Sequence, residues 1–330
     1  MGALTGLVTR ARAEVGQVVW WLRDHRDADR RAHNRIVRAG LELPELPRRR
    51  RVAGEIWAVT MVKDEVDVIA ATVAHLFRQG IDHVLVADNG SSDGTLELLR
   101  ELAASDPRVH VAIDREPAYY QSEKMTQLAL AAVRSGADWI VPFDADEFWF
   151  AAGRTVGELL RGLAAAQPAV GMVRAHFHNM IPVREVSDLV STEFVMDSSP
   201  LRPGKVAVRS HPLMVISVGN HGASRVGAIV DGLRIAHAAY RSPAQVARKV
   251  RQGAVAVNLT NPGDDMALHW RAASLLTDDE VADVWARISS GESDERLKYR
   301  VAGPMVLVRP LLWATWDPDG VVPETEPHLR

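Results

Sequence analysis

The chain has no cysteine. Disulfide bridges, thiolate metal sites and a cysteine nucleophile are therefore excluded. No apolar run approaches the length needed to span a bilayer, and no clean signal-peptide core opens the sequence. A soluble cytoplasmic protein is the expectation. Lysine is rare: Lys63, Lys124, Lys205, Lys249 and Lys298 are the whole complement. The net charge of −3 offers nothing global to a nucleic acid. A hydrophobic content of 47% and a charged content of 25% are ordinary for a globular chain, and 330 residues make one large domain or two.

The charge is unevenly spread. Residues 1–54 carry 12 Arg and 6 Asp or Glu, a balance of +6 that leaves −9 for the remainder. Leu4, Leu7, Val8, Val15, Val18, Val19, Trp20 and Leu22 recur at partly helical spacing, flanked by Arg10, Arg12, Arg23 and Arg26. Such a basic amphipathic helix suits the anionic inner face of a cell membrane. The plainer alternative is a helical extension packed on the main domain. Pro44 and Pro47 mark a linker after it.

What is present is most concentrated at 139–148. Five apolar residues, Trp139 to Phe143, run into Asp144, Asp146 and Glu147. A short apolar run bounded by polar residues reads as a strand buried on both faces. Acids clustered so close to a core need a cationic partner. Hard oxygen ligands without cysteine suit Mg²⁺ or Mn²⁺, which borrow further ligands from phosphates. A solvated acidic loop is the competing reading.

Upstream, strand and helix patterns alternate over 56–147. Strand-like runs occur at 56–61, 84–87, 109–112 and 139–143, with apolar helical spacing between them and Gly80 as a helix stop. That alternation predicts a doubly wound, mainly parallel sheet, in which ligands bind beyond the carboxyl ends of the strands. Three polar clusters fall there: Lys63 to Glu65, Asp88 to Asp93, and Asp144 to Glu147. Each alone reads equally as a solvated loop; together on one rim they predict a site. Four of the five lysines sit in or beside the polar clusters, and Lys binds phosphate as a compact point charge. Residues 170–240 lose the alternation. Strand-like pieces at 173–177, 206–209, 214–218 and 233–236 predict an irregular, partly antiparallel half. Its histidines (His176, His178, His211, His221 and His237) read singly as structural. Ser242-Pro243 opens a helix whose N-terminus favours phosphate. From about 264 onward helix-like segments return, with an apolar piece at 305–313.

The stretches Met61 to Glu65, Gly80 to Val84, Asp88 to Thr95 and Asp144 to Phe148 resemble a family 2-type glycosyltransferase. More narrowly they resemble a bacterial branch with an Asp-x-Asp-Glu-Phe signature, to which Lys205 to Arg209, Gly219 to His221, and His237 to Ser242 with Lys249 are also similar. The resemblance spans about 55–255 and implies a GT-A fold. A nucleotide-binding half (55–150) and an acceptor and metal-completing half (151–255) would lie between the basic extension (1–54) and a helical C-terminal extension (256–330).

The resemblance also implies a nucleotide-sugar donor, most often UDP-linked, an Mn²⁺ or Mg²⁺ ion, and a carbohydrate or lipid-linked acceptor in polysaccharide, glycolipid or glycan synthesis. By position, Thr60, Val62 and Glu65 line the nucleoside pocket, with Lys63 and Ala145 in the same donor set. Asp88 meets the base and Asp93 supports its loop. Asp144 and Asp146 serve ribose and metal, with Asp146 the stronger metal ligand and His237 completing that site. Lys124, Arg241 and Lys249 face the diphosphate. The branch commonly has Asn where this chain has Asp64. An inverting displacement needs a base; Glu147, Asp188, Glu193, Asp197 and His178 are candidates. Two other classes compete. One is a catalytically silent scaffold on the same fold. The other is a nucleotidyltransferase, disfavoured because no glycine occurs in Val62-Lys63-Asp64-Glu65.

Overall fold

The computed structural model describes residues 15–23, 26–186, 189–260 and 268–322. The chain opens with α1 (15–23), α2 (Ala28–Gly40) and β1 (Leu41–Glu42). There follow β2 (Ile56–Val62), α3 (Ile69–Arg78), β3 (His83–Asp88), α4 (Thr95–Ser105), β4 (Val109–Asp114), α5 (Gln121–Arg134) and β5 (Trp139–Pro142). The second half runs β6 (Glu147–Ala151), α6 (Val156–Ala166), β7 (Val170–Pro182), β8 (Phe194–Asp197), β9 (Leu201–Arg209) and β10 (Ala228–His237). It closes with α7 (Pro243–Thr260), α8 (Leu268–Ala273), α9 (Asp278–Ser289) and β11 (Met305–Val308).

The sheet order is β1-β4-β3-β2-β5-β9-β7-β10-β6, and β8 branches from β7 to carry β11. Strands β4, β3, β2 and β5 are parallel, joined by the crossovers α3, α4 and α5. The expected doubly wound α/β architecture is therefore present. Along β2 the period-2 alternation sends Ile56 and Ala58 to one face and Trp57 and Val59 to the other. Both faces are covered, so the strand reads as a continuous apolar run. Burying each such side chain contributes about 1.5–3 kcal/mol.

Beyond β5 the sheet is mixed. Strand β9 is antiparallel to both β5 and β7, while β10 is parallel to β7 and antiparallel to β6. One expected strand is missing. Residues 214–218 form a loop that ends in a single 3₁₀ turn, Val218–Asn220. Met214 and Ile216 pack with α5, Ile216 makes only a single antiparallel bridge, to Ala223, and hydroxyls of α5 take up the backbone groups of Ile216. Ile216 N–H donates to Thr126 Oγ1 at 2.9 Å, and Ser122 Oγ donates to the Ile216 carbonyl at 2.6 Å.

The flanking segments are built into the domain. Val37 of α2 is fully buried with Ala118 and Tyr120, and β1 extends the sheet, pairing Leu41 with Asp114. Helix α7 runs across residue 255 to Thr260. Val246, Val250 and Val257 form its buried stripe, while Gln245, Lys249 and Gln252, spaced i, i+4 and i+7, share its other working face. Thr277 and Glu280 form a reciprocal capping box that starts α9, a signal legible in the sequence.

Candidate active site

The carboxyl ends of β2 and β5, the end of β10 and helix α7 surround a cleft of about 450 Å³. Register explains the assembly. His237, the last residue of β10, pairs with Glu147, the first of β6, and Ala238 N–H donates to the Asp146 carbonyl at 2.9 Å. A histidine far along the chain is thereby fixed against the acidic turn after β5.

Asp146 is 2% exposed. Its Oδ1 lies 3.5 Å from His237 Nε2, its Oδ2 pairs with Lys249 Nζ, and Arg241 Nη1 stands 3.8 Å away. Burial would raise its pKa, but the Lys249 ammonium, with the Arg241 guanidinium behind it, holds it well below the usual carboxylate range. Burial likewise pushes Lys249 down, yet Asp146 and Glu65 leave it above an ordinary lysine. Arg241, wholly buried, clamps Asp67 through Nε at 2.7 Å and Nη2 at 3.0 Å, and also pairs with Glu65. Burial raises the Glu65 pKa against the pull of Arg241.

Asp144 is more open, with a side chain 40% exposed. Lys205 bridges it to Glu147, and Asn220 Nδ2 donates to its Oδ1 at 3.1 Å. Glu147 Oε2 accepts from Asp144 N–H at 3.0 Å and from Trp149 Nε1 at 3.3 Å. Burial keeps the Glu147 pKa raised despite Lys205. A carboxylate so committed shapes the turn.

The donor set fits a hard divalent cation. His237 Nδ1–H donates to Asn179 Oδ1 at 2.9 Å, so the Nε2 lone pair faces Asp146 Oδ1. Two electron-pair donors facing one another suit a shared cation, and the amide behind the ring is the usual orienting partner. Among the described residues no three His, Asp or Glu side chains form a closed cage. Mg²⁺ and Mn²⁺ ordinarily complete such partial sets with water and phosphate oxygens.

The loop after β3 is preorganised. Asp88 Oδ2 accepts from the Gly90 and Ser91 N–H groups, both at 3.1 Å, while its Oδ1 is buried without a hydrogen-bond partner. Asp93 accepts from Thr95 N–H at 3.0 Å and Val66 N–H at 3.3 Å. Asp64 adopts φ +54°, a conformation Asp and Asn tolerate better than most residues. It accepts from Ser92 N–H at 2.6 Å and from Gln252 of α7.

Of the residues expected from sequence, Val62, Lys63, Glu65, Asp144, Ala145, Asp146, Glu147, His237 and Lys249 line the cleft. Others stand elsewhere. Lys124, expected at the diphosphate, is 1% exposed and paired with Asp114 at 2.7 Å; it braces the strand next to the loop after β3. Thr60 is fully buried, its hydroxyl turned to the Met61 carbonyl. Arg241 lies behind Asp146, outside the cleft lining. His178 is buried, bonded through Nδ1 to the Asp197 carbonyl at 3.0 Å, and Asp197 accepts from Ala302 and Gly303 N–H groups. Glu193 pairs with Arg309 at 3.0 Å. None of these three lines the cleft. Asp188 lies outside the described residues. Sequence reasoning missed Tyr119, Gln121, His221 and Lys205 as lining residues. The rarity of lysine was the available signal for Lys205.

Several solved structures are similar at low identity. A mannosyltransferase from Pyrobaculum calidifontis is 14% identical, with 88% of this chain and 87% of that one covered at a TM-score of 0.37. TarS residues 1–349 from S. aureus are 11% identical, with 67% and 70% covered at a TM-score of 0.31. Similarity this low assigns no residue a role. No curated protein matches. Residues 57–216, which contribute β2 to β5, the acidic turn and Lys205, match the model of glycosyl transferase family 2, just under half of the chain, and the protein is a glycosyltransferase.

Proposed function

We propose that the chain moves a sugar from a nucleoside diphosphate donor, with UDP-sugars first, to an acceptor hydroxyl of a carbohydrate or lipid-linked glycan. The observation that carries this reading is the cleft itself: Asp146 and His237 share one face with Lys249, Lys205 and Lys63. Asp146 and His237, with Asp144 on the same rim, would hold Mn²⁺ or Mg²⁺, which neutralises charge building on the departing diphosphate. Lys249 and Lys63 add fixed positive charge beside that leaving group. Arg241 positions Asp146 and Glu65 from behind. The unpartnered Oδ1 of Asp88 supports a hydrogen bond from a nucleobase N–H.

A thermal-shift panel tests this. It would use UDP, GDP and CDP with their sugar conjugates, with and without Mn²⁺; the similar P. calidifontis and S. aureus structures hold GDP-Man and UDP-GlcNAc respectively. A ligand bound only by the folded chain raises Tm, by about 2.7 kcal/mol of added stability at a hundredfold excess over Kd. The expected result is a shift for one base, enlarged by Mn²⁺. No shift with any nucleotide would move the reading to a silent scaffold.

We infer also that α1 rests on an anionic bilayer. Gln17 is fully buried, bonded to the Leu213 carbonyl at 3.1 Å and to Val226 N–H at 3.0 Å, while Val15, Val18, Val19, Trp20 and Leu22 are 42–65% exposed. The helix thus turns its polar residue inward and its apolar residues outward, with Arg23 and Arg26 exposed beside them. No helix among the described residues is long and apolar enough to cross a membrane. Because α2 and β1 belong to the core, the test substitutes exposed residues of α1 and leaves the rest of the extension in place. Val19→Glu/Trp20→Glu should cut co-sedimentation with phosphatidylglycerol vesicles about tenfold, and salt should weaken wild-type binding. Equal co-sedimentation of the two proteins removes the idea.

A further inference from the structure

On the glycosyltransferase reading above, we propose that His221 Nε2 is the general base that takes the acceptor hydroxyl proton. His221 follows the 3₁₀ turn Val218–Asn220, is exposed, and lines the cleft. Its Nδ1 lies 2.9 Å from the Gly204 carbonyl. A carbonyl only accepts, so Nδ1 carries the proton and Nε2 presents a lone pair. Among the described residues that Nε2 has no hydrogen-bond partner.

The turn is held on two sides. Gly219 N–H donates to Gln121 Oε1 at 2.7 Å, and Asn220 Nδ2 donates to Asp144 Oδ1 at 3.1 Å. The imidazole therefore stands at a fixed place beside the acidic turn. Gly219 has φ +73°, and a Cβ there would sit 2.5 Å from His221 Nε2 and Cδ2. Only glycine leaves the ring this position.

Among the described residues, the carboxylates that line the cleft are committed. Lys205 holds both Asp144 and Glu147, Lys249 holds Asp146, and Arg241 holds Glu65. Each of these carboxylates has an oxygen occupied by a fixed cation, so taking a proton from an incoming hydroxyl would leave that cation unpaired. His237 Nε2 already faces Asp146. His221 is the remaining cleft side chain with a basic lone pair among the described residues.

The step balances. The acceptor oxygen bonds to the anomeric carbon of the donor sugar on the face opposite the diphosphate. The bond from that carbon to the diphosphate oxygen breaks, its electron pair leaving with the nucleoside diphosphate. The hydroxyl proton passes to Nε2, and the imidazolium later returns it to water.

The experiment uses the full chain and the nucleotide sugar that gives the thermal shift, with water as the minimal hydroxyl acceptor and nucleoside diphosphate release as the signal. His221→Gln and His221→Ala should lower kcat by about 10²–10⁴-fold while the donor-induced shift in Tm stays unchanged. The acid limb of the wild-type kcat/KM profile should vanish in both variants, and added imidazole should restore part of the rate to His221→Ala. Gly219→Ala, which displaces the ring, should also slow turnover. Rates within about threefold of wild type, with the acid limb kept, overturn the proposal and leave the glycosyltransferase reading standing. A wild type that releases no nucleoside diphosphate from any sugar conjugate overturns both.

Discussion

Asp146→Asn is expected to lower turnover by about 10²–10³-fold and to remove the Mn²⁺ dependence of the nucleotide-induced thermal shift. Two cationic groups, Lys249 and Arg241, converge on this one buried carboxylate, and His237 faces it from the third side. The amide keeps the shape of the side chain but removes its charge, and with it the ligand that faces His237. Recognition of the base by the loop after β3 should survive, because Asp88 and Asp93 organise that loop without contacting Asp146. Some nucleotide shift should therefore persist without metal. Turnover of Asp146→Asn at the wild-type rate, with metal dependence intact, would falsify the assignment.

Arg241→Ala is expected to be the most damaging change to stability. The guanidinium is 1% exposed and bridges Glu65, Asp67 and Asp146, while also donating to the Ala238 carbonyl at 3.1 Å. Removing one member of a buried ion network leaves uncompensated charge and costs about 3–5 kcal/mol. For a chain of this size that amounts to about 4–7 °C in Tm. Arg241→Lys should recover only part of it, since an ammonium cannot reproduce the paired contacts to Asp67. Urea unfolding at neutral pH measures both variants. A loss below about 1 kcal/mol for Arg241→Ala would mean that the acids find other partners.

Much of the parallel half was legible from residue order alone. Period-2 and period-3.6 patterns over 56–147 depend on local burial, and Gly80 and Thr95 mark helix ends through backbone chemistry that neighbours alone decide. The polar clusters had to lie at the carboxyl ends of the strands, because parallel strands joined by helices carry those ends to one rim. The acidic turn at 144–147 was found for that reason.

What the order of residues left open was which distant groups meet that rim. Lys124 and Lys249 look alike in sequence; tertiary packing buries the first against Asp114 and aims the second at Asp146. His178 and His237 both end apolar stretches, yet the register of β10 against β6 brings only His237 to the turn. Residues 214–218 have a strand's composition, but they fold back on 222–224 with a single bridge while hydroxyls of α5 hold the Ile216 backbone, which leaves the 219–221 turn at the cleft. Composition and local periodicity thus determined the elements, the parallel half-sheet and the acidic rim. Pairing of charges across sequence separations of tens to more than a hundred residues was decided by the tertiary fold, because an ion pair records where two chain segments meet and leaves no periodic trace in either.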